Sequence, residues 1–417
     1  MSSPVKDRLR TLLTELMLTP GLSGHEGRVR RHIARALRDL GLETRTDRLG
    51  NLIATLQGED GAPSVMLFTH MDQLGFIVRK IEPSGFLRFE RLGGVPERAL
   101  ASQEVLICVG QGRDRPGVIA NKSHHATTPE EKYKVVPYQD LYIDAGFASA
   151  HEAVAAGVDI GSPVVYRPHW VELSPDRIAG TAVDDRAGCA VIVEVARQFL
   201  AKSKRPTVHF VFSVQEEFNL RGALTAAQVL QPDVAIQLDL LLATDTPDMG
   251  YRGDVRLGGG PAMSMYSFHG RGTLNGTIPH PALVALFDGA SRGMDVTLQR
   301  SAHTGALTDS SYVQLVGQGV ASIETTTNEA LSRHRHRHLR IEGRDRRREG
   351  AHRRQRHETA QDACAATRLG RASSQAGLVG RLHRHQQEDA CRQRHRPRDD
   401  PCRRDKRHRP LHAAGRR

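Results

Sequence analysis

Residues 64–70, SVMLFTH, form a short apolar run that ends in a histidine. Such a run is typical of a strand buried on both faces of a parallel sheet, a strand that helices must cover on both sides. It therefore constrains the fold more than any other stretch and predicts an α/β domain. His70 stands at the carboxyl end of this strand, the edge at which ligands gather in open α/β sheets.

Periodic apolar positions predict helices and further strands around this one. Leucines recur at helical spacing from Leu9 to Leu16, and a second helix is predicted in SGHEGRVRRHIARALRDLG, where Ser23 and Glu26 have the spacing of a capping box. From about residue 167 a helix in AGCAVIVEVARQFLA, a strand in TVHFVFSVQEE, a helix in GALTAAQVLQ and a strand in VAIQLDLLLATD follow.

The segment between these two parts has a different texture. Residues 73–166 consist of short β-like runs separated by Gly, Pro and charged turns, which predicts a small barrel or sandwich inserted into the α/β domain. We therefore expect a first part of the α/β domain in residues 1–72, the insert in residues 73–166, the second part in residues 167–325, and a tail in residues 326–417.

The tail differs from the rest of the chain in charge and composition. Residues 326–417 contain 25 Arg and one Lys against 11 Asp and Glu, a net charge of +15, whereas the whole chain carries +12. The tail has no Phe, Tyr or Trp, so it cannot build a core, and we expect it to be disordered. A real basic arm of this kind would bind nucleic acid or another polyanion.

The spacing of the cysteines and the length of the apolar runs indicate the cellular compartment in which the protein is expected. Cys108 and Cys189 are the two cysteines before residue 326, and their separation indicates neither a disulfide framework nor a zinc knuckle. The chain has no apolar run of about 18 residues and no signal-peptide pattern at its start, so we expect a cytoplasmic protein without a membrane span.

Cation-binding side chains follow several predicted strands. A capped strand end, a solvated turn or a helix N-terminus would each explain one such place, but a buried strand gains nothing from adjacent carboxylates without a partner. The set has the inventory of a two-metal hydrolase, which needs a bridging carboxylate, N and O ligands and a further carboxylate as base. Its members are His70, Asp72, Asp184, Asp185, Glu216, Glu217 and Asp245.

At these residues the chain resembles the M42 family of metallo-aminopeptidases. The motifs THMDQLGFIV, AVDDRAGCAVIVEV, VFSVQEEFNLRGA and ATDTPD match the family's pattern in the family's order, and SGHEGRVRRHI, LYIDAGF and SFHGRGTLNGTIPHPALVALF extend the resemblance over residues 1 to about 325. The resemblance implies a zinc-peptidase-like mixed sheet flanked by helices, with a small β-barrel dimerisation domain inserted.

The resemblance also implies a role for each position. His70 and Asp245 look like ligands of one divalent ion, Asp184 like the ligand shared by both ions, and Glu217 like a ligand of the second. The peptide bond between Asp184 and the next aspartate is cis in related peptidases. Zinc or cobalt is the implied metal.

Two further carboxylates have roles by the same resemblance. Glu216 looks like the general base that takes a proton from the attacking water and returns it to the leaving amine. Asp72 looks like the carboxylate that orients the His70 imidazole. The implied reaction is hydrolysis of N-terminal residues from peptides. The implied assembly is a homo-oligomer built from dimers, up to a dodecamer.

The match to the family breaks near residue 326. The family pattern has one more metal-binding histidine near its C-terminus, but here the sequence continues into TTTNEALSRHRHRHLRIEG. The abrupt change suggests a frameshift near residues 324–328, and the second ion would then lack a ligand unless His334, His336 or His338 replaced it. An inactive assembly protein and a nucleic-acid-binding protein are the alternatives.

Overall fold

The computed structural model describes residues 4–270 and 274–326, and the backbone alone of residues 331–332 and 338–340. Within these residues no helix is long and apolar enough to cross a membrane. The α-helices, in chain order, are α1 Pro4–Met17, α2 Gly27–Arg38, α3 Ala150–Ala155, α4 Val183–Leu200, α5 Gly222–Leu230, α6 Pro281–Met294 and α7 Ser310–Val313.

The strands follow the alternation that the sequence predicts. In chain order they are β1 Thr44–Thr46, β2 Leu52–Leu56, β3 Val65–His70, β4 Gly75–Ile81, β5 Leu87–Leu92, β6 Glu104–Ile107, β7 Arg115–Ala120, β8 Tyr142–Asp144, β9 Pro163–Tyr166, β10 Trp170–Ser174, β11 Arg177–Gly180, β12 Val208–Ser213, β13 Val234–Leu238, β14 Leu241–Leu242, β15 Ala262–His269, β16 Asn275–Thr277, β17 Gln299–Thr304, β18 Ala321–Thr326, β19 Leu331–Ser332 and β20 His338–Arg340.

The largest sheet is mixed, and β3 lies inside it as predicted. Its strand order is β1-β2-β12-β3-β13-β18-β15-β16, with β17 paired to β15. Strands β12, β3, β13 and β18 run parallel to one another, so their carboxyl ends lie along one edge. Because Ser213 pairs with His70 in register, the residues that follow β12 emerge beside the end of β3.

Helices cover both faces of this sheet, as a doubly buried strand requires. On one face, side chains of α1, α2, α4 and α6 pack in one apolar cluster with Leu67 of β3 and Phe210 of β12. On the other face, α5 and the region of α7 pack against Met66 and Phe68 of β3. Every residue of β3 is buried, and each large apolar side chain buried in this way contributes about 1.5–3 kcal/mol.

The inserted segment is a closed barrel with its own core. Strands β4, β5, β8, β7, β6 and β9 close in that order. Phe76 and Phe89 pack edge to face inside it, with ring centroids 5.0 Å apart, and Val78, Ile107 and Ile143 are fully buried around them. The predicted mixed sheet with an inserted small β-barrel is confirmed.

Two local predictions are wrong. The apolar run VAIQLDLLLATD is not one strand, because β13 ends at Leu238 and Leu241 packs in a separate cluster with Val255 and Leu257. The Ser23–Glu26 pair is not a capping box, because α2 begins at Gly27 and neither side chain caps it. Both residues serve the site described below.

The predicted tail falls almost entirely outside the described residues. Thr326 ends β18, and the backbone of β19 and β20 pairs with β14 and β11. His334 and His336 lie outside the described residues, and the side chain of His338 is not described. The predictions of a disordered tail, a frameshift and a replacement histidine therefore remain predictions.

Candidate metal centre

The site begins with the two consecutive aspartates at the start of α4. The peptide bond between Asp184 and Asp185 is cis, as the resemblance implied. Asp185 is buried, accepts hydrogen bonds from Thr69 Oγ1 and from the Gly188 N–H, and is thereby fixed to the end of β3 and to its own helix. Asp184 instead places Oδ1 3.0 Å from His70 Nε2.

His70 is the centre of the cluster. Its ring is 1% exposed, and Nε2 lies 4.0 Å from both Glu216 Oε2 and Asp239 Oδ1. Asp239 follows β13 directly, so it reaches the same sheet edge as the residues that follow β3 and β12. The structure therefore brings together three strand ends and the start of α4, as the predicted convergence requires.

Two groups of three side chains in the described part of the chain could each hold a metal ion. They are His70, Glu216 and Asp239, and Asp184, Asp185 and Asp239, and within each group one potential ligand atom per residue lies within 4.8 Å of the others. One imidazole nitrogen among carboxylate oxygens is a set of donors that divalent metal ions bind. The donor set therefore fits a divalent cation.

Asp245 requires a correction. The sequence prediction placed it among the ligands, but the structure puts it in the exposed stretch after β14, outside both groups. Asp239, and not Asp245, is the aspartate that lies beside His70 in the structure. Sequence reasoning missed Asp239 because it lies inside the apolar run IQLDLLLA of residues 236–243, a pattern that predicts one long strand.

Glu217 lies beside the cluster without belonging to either three-residue group among the described residues. Its N–H donates to Asp72 Oδ2 at 3.0 Å, and it is partly exposed. A Cβ added at Gly93, in the turn after β5 of the barrel, would lie 3.2 Å from the Glu217 carbonyl oxygen. The barrel therefore approaches the site at Glu217.

Asp72 holds the loop that carries the two glutamates. It is fully buried, its Oδ1 lies 3.4 Å from His70 Nδ1, and the same oxygen accepts the Glu216 N–H at 3.0 Å. Ser23 Oγ donates to Asp72 Oδ2 at 2.5 Å. The orienting role of Asp72 toward the imidazole remains a prediction, whereas its hydrogen bonds from two backbone N–H groups fix the Glu216–Glu217 backbone.

Glu26 supports the same loop from the other side. It is 3% exposed, and its Oε1 accepts the N–H groups of Gly24 at 2.7 Å and Gln215 at 3.1 Å. Burial, together with the Asp72 charge, raises the pKa of Glu26 to about 7. The sequence offered Ser23 and Glu26 only as helix-capping residues, because their partners lie about 50 and 190 positions further along the chain.

The electrostatics of the cluster favour a bound cation. Burial raises the pKa values of Glu216 and Asp239 well above their usual range, and it raises those of Asp185 and Glu217 to about 7. Burial opposes the charged form of His70 as well, but the Glu216, Asp72 and Asp239 carboxylates raise its pKa well above the ordinary value. A divalent cation would compensate these crowded carboxylates.

Comparisons with known proteins agree with this site. The profile of the M42 glutamyl aminopeptidase family matches residues 50–339. The chain is 35% identical over 322 residues to SgcX of Escherichia coli (strain K12), covering 77% of this chain and 85% of that protein.

Solved structures share the fold. An aminopeptidase from the archaeon Desulfurococcus kamchatkensis, APDkam598, superimposes with a TM-score of 0.74 and 29% identity, covering 81% of this chain and 91% of that one. The TET1 peptidase of Pyrococcus horikoshii, which can assemble into a tetrahedron or a large octahedral shell, superimposes with a TM-score of 0.70 and 26% identity, covering 80% and 94%.

Proposed function

The chain belongs to the M42 family of metal-dependent aminopeptidases, and we propose that it removes N-terminal residues from peptides at the cluster around His70. The observation that carries this proposal is the meeting of His70, Glu216 and Asp239 within 4.8 Å at the carboxyl edge of the sheet. This places a nitrogen ligand, a carboxylate ligand and a candidate base within reach of one substrate carbonyl.

The proposed ligands divide between two cations. His70, Asp184 and Asp239 would hold the first, and Asp184 would also contact the second together with Glu217. Zinc or cobalt is the metal proposed from the mixture of imidazole and carboxylate donors. When bound, the cations polarise the scissile carbonyl and lower the pKa of water.

Glu216 is proposed as the general base. Its side chain is buried, and its backbone N–H is fixed to Asp72, so the carboxylate is held toward His70. Burial raises the pKa of Glu216, so its ionised form accepts a proton more readily than an exposed glutamate does and can return that proton to the leaving amine. Asp72 orients His70 and fixes the backbone of this base.

The barrel is proposed to form the dimer contact of a larger homo-oligomer. The barrel is a self-contained unit inserted between β3 and β10, and TET1, which shares the fold, can assemble into a tetrahedron or a large octahedral shell. A closed shell would admit peptides and exclude folded proteins. The parts proposed are residues 1–72 and 167–325 for catalysis and residues 73–166 for assembly.

The second cation is proposed to bind weakly in this chain. The family pattern supplies a further histidine beyond β18, and the sequence here replaces that region with TTTNEALSRH. With Asp184 and Glu217 as its proposed ligands in the described residues, the second site would have no nitrogen donor. The chain is then impaired, and restoring the alternative reading frame near residues 324–328 would restore activity.

The test compares this chain with a version carrying the alternative reading frame from residue 324. Each is freed of metal by chelation, reloaded with Co²⁺ and assayed on a peptide with a free N-terminus and on its acetylated form. We expect two tight Co²⁺ ions and hydrolysis of the free peptide alone in the repaired version, and one tight Co²⁺ and slow hydrolysis in this chain.

Other results of this comparison would contradict the proposal. Two equally tight ions in this chain would refute the impairment. Metal uptake without hydrolysis in both versions would identify an inactive assembly protein. The frameshift hypothesis would be refuted if resequencing the gene showed that no alternative reading frame encodes a histidine-containing strand and helix.

A further inference from the structure

Three consecutive residues at the start of α7, Thr308 to Ser310, connect to three different strands of the sheet edge. Thr308 Oγ1 donates to Glu324 Oε2 of β18 at 3.3 Å, and Ser213 Oγ of β12 donates to Asp309 Oδ2 at 2.9 Å. Ser310 contacts Gln237 of β13. All three residues are buried, so this segment, Thr308–Ser310, is fixed across the ends of the strands that carry the cluster.

Ser310 determines the orientation of the Gln237 amide. The Ser310 N–H and the Ser310 Oγ both donate to Gln237 Oε1, each at 2.7 Å. Only the oxygen of a carboxamide can accept hydrogen bonds, so two donors at one atom identify it as Oε1. The amide nitrogen must therefore face the other way. Gln237 is fully buried and cannot turn toward water.

Gln237 in turn fixes one oxygen of Asp239. Gln237 Nε2 donates to Asp239 Oδ2 at 2.9 Å. The Leu240 N–H donates to Oδ1 at 2.6 Å, and Oδ1 is the atom that lies 4.0 Å from His70 Nε2. With one donor on each oxygen, the carboxylate plane cannot rotate freely, and Oδ1 stays on the side of His70.

We propose that Ser310 and Gln237 are positioning residues that hold Asp239 toward the cation beside His70. This inference rests on the proposed function of the cluster as a metal site, and it adds a chain of contacts from Ser310 through Gln237 to Asp239. Residues that orient a ligand in this way commonly change metal affinity by about 10- to 100-fold when they are removed.

The alternative is that these contacts only satisfy buried polar groups. The chain offers a matched control for that alternative. Ser311 is also fully buried in α7, and its Oγ donates to the Thr308 carbonyl oxygen at 2.7 Å. Ser311→Ala therefore removes a buried hydroxyl from the same turn without removing a hydrogen bond to Gln237.

The experiment titrates metal-free protein with Co²⁺ and follows the visible absorption of the bound ion, with a competing chelator to measure the dissociation constant. Four full-length proteins are compared: the unsubstituted chain, Ser310→Ala, Gln237→Met and Ser311→Ala. We expect Ser310→Ala to weaken the tightest Co²⁺ site about 10-fold and Gln237→Met up to about 100-fold. Ser311→Ala should stay within about twofold of the unsubstituted chain.

Three results would overturn the inference. Equal affinities in all four proteins would show that Gln237 does not position Asp239. Equal weakening by Ser311→Ala and Ser310→Ala would show a general loosening of α7. Absence of Co²⁺ uptake by the unsubstituted chain would refute the metal site itself and the inference with it, and this result is distinguishable because it precedes any substitution.

If Gln237→Met fails to fold, Ser310→Ala still decides the question. This substitution keeps the amide and removes only one of the two donors to Oε1. Its thermal unfolding in chelator, compared with that of Ser311→Ala, shows whether a weaker Co²⁺ site follows from lower stability. A positioning role predicts equal unfolding midpoints for the two alanine variants and different Co²⁺ affinities.

Discussion

Replacement of Glu324 by glutamine should stabilise the metal-free protein at alkaline pH. Glu324 lies on β18 with 1% of its surface exposed, and its Oε2 accepts a hydrogen bond from Thr308 Oγ1 at 3.3 Å. Burial raises the pKa of Glu324 from the ordinary 4.5 to about 7. The buried carboxyl group therefore stays protonated to a higher pH than the same group in the unfolded chain.

The direction and size of the effect follow from linkage. Between pH 4.5 and about 7 the folded protein holds a proton that the unfolded chain has released. The contribution to stability is therefore complete below pH 4.5 and is lost as the pH rises through about 7. A shift of this size corresponds to about 3 kcal/mol. Glutamine stays neutral, so Glu324→Gln should be more stable than the unsubstituted chain at pH 8, by up to about 3 kcal/mol.

The assay is urea unfolding of both proteins in chelator at pH 5 and pH 8, with the exposed Glu59→Gln as a control. Glu324→Gln should separate from the unsubstituted chain at pH 8 and much less at pH 5. Glu59→Gln is the matched control because it makes the same substitution at an exposed position. If Glu324→Gln were no more stable than the unsubstituted chain at pH 8, the assignment of a buried, destabilised carboxylate would be refuted.

Three further substitutions test the base, the core and the packing around the cis peptide. Glu216→Gln, made in the chain with the restored reading frame, should lower kcat by about 10²- to 10⁴-fold. The number of bound Co²⁺ ions, measured by dialysis, should not change. Loss of metal would instead identify Glu216 as a ligand. Leu67→Ala should lower the free energy of unfolding in urea by about 2–5 kcal/mol, because Leu67 is 2% exposed in the main apolar cluster. Gly188→Ala should destabilise the protein by about 1–3 kcal/mol and weaken Co²⁺ binding, since its Cβ would collide with Thr69 Oγ1 and Asp185 Oδ2; calorimetry showing no change would contradict this packing.

The fold was largely predictable because its decisive elements are local patterns. The apolar run of β3 indicated a doubly buried strand, and the short runs of residues 73–166 indicated the inserted barrel. His70 closes β3 and Glu216 lies three residues beyond the end of β12, so the sequence could place both at the ends of clearly bounded strands. Parallel pairing then brings such positions to one edge without any further information.

The errors arose where tertiary contacts decided the structure. Asp239 was missed because the residues after it, Leu241 among them, are apolar for a separate reason, their packing with Val255 and Leu257. Ser23 and Glu26 matched a local capping pattern, but their actual partners are Asp72 and Gln215. A sequence pattern does not distinguish a local hydrogen bond from one formed with a distant loop.

Zinc binding by two single-substitution variants tests the central claim most directly, namely that the strand ends at His70 and Asp239 meet around one cation. Equilibrium dialysis of Zn²⁺ against Asp239→Asn and Asp245→Asn compares the aspartate beside His70 with the exposed one. We predict that Asp239→Asn loses the tight Zn²⁺ ion and that Asp245→Asn retains it with unchanged affinity. Retention of the ion by Asp239→Asn, or its loss from Asp245→Asn, would contradict the proposed metal centre.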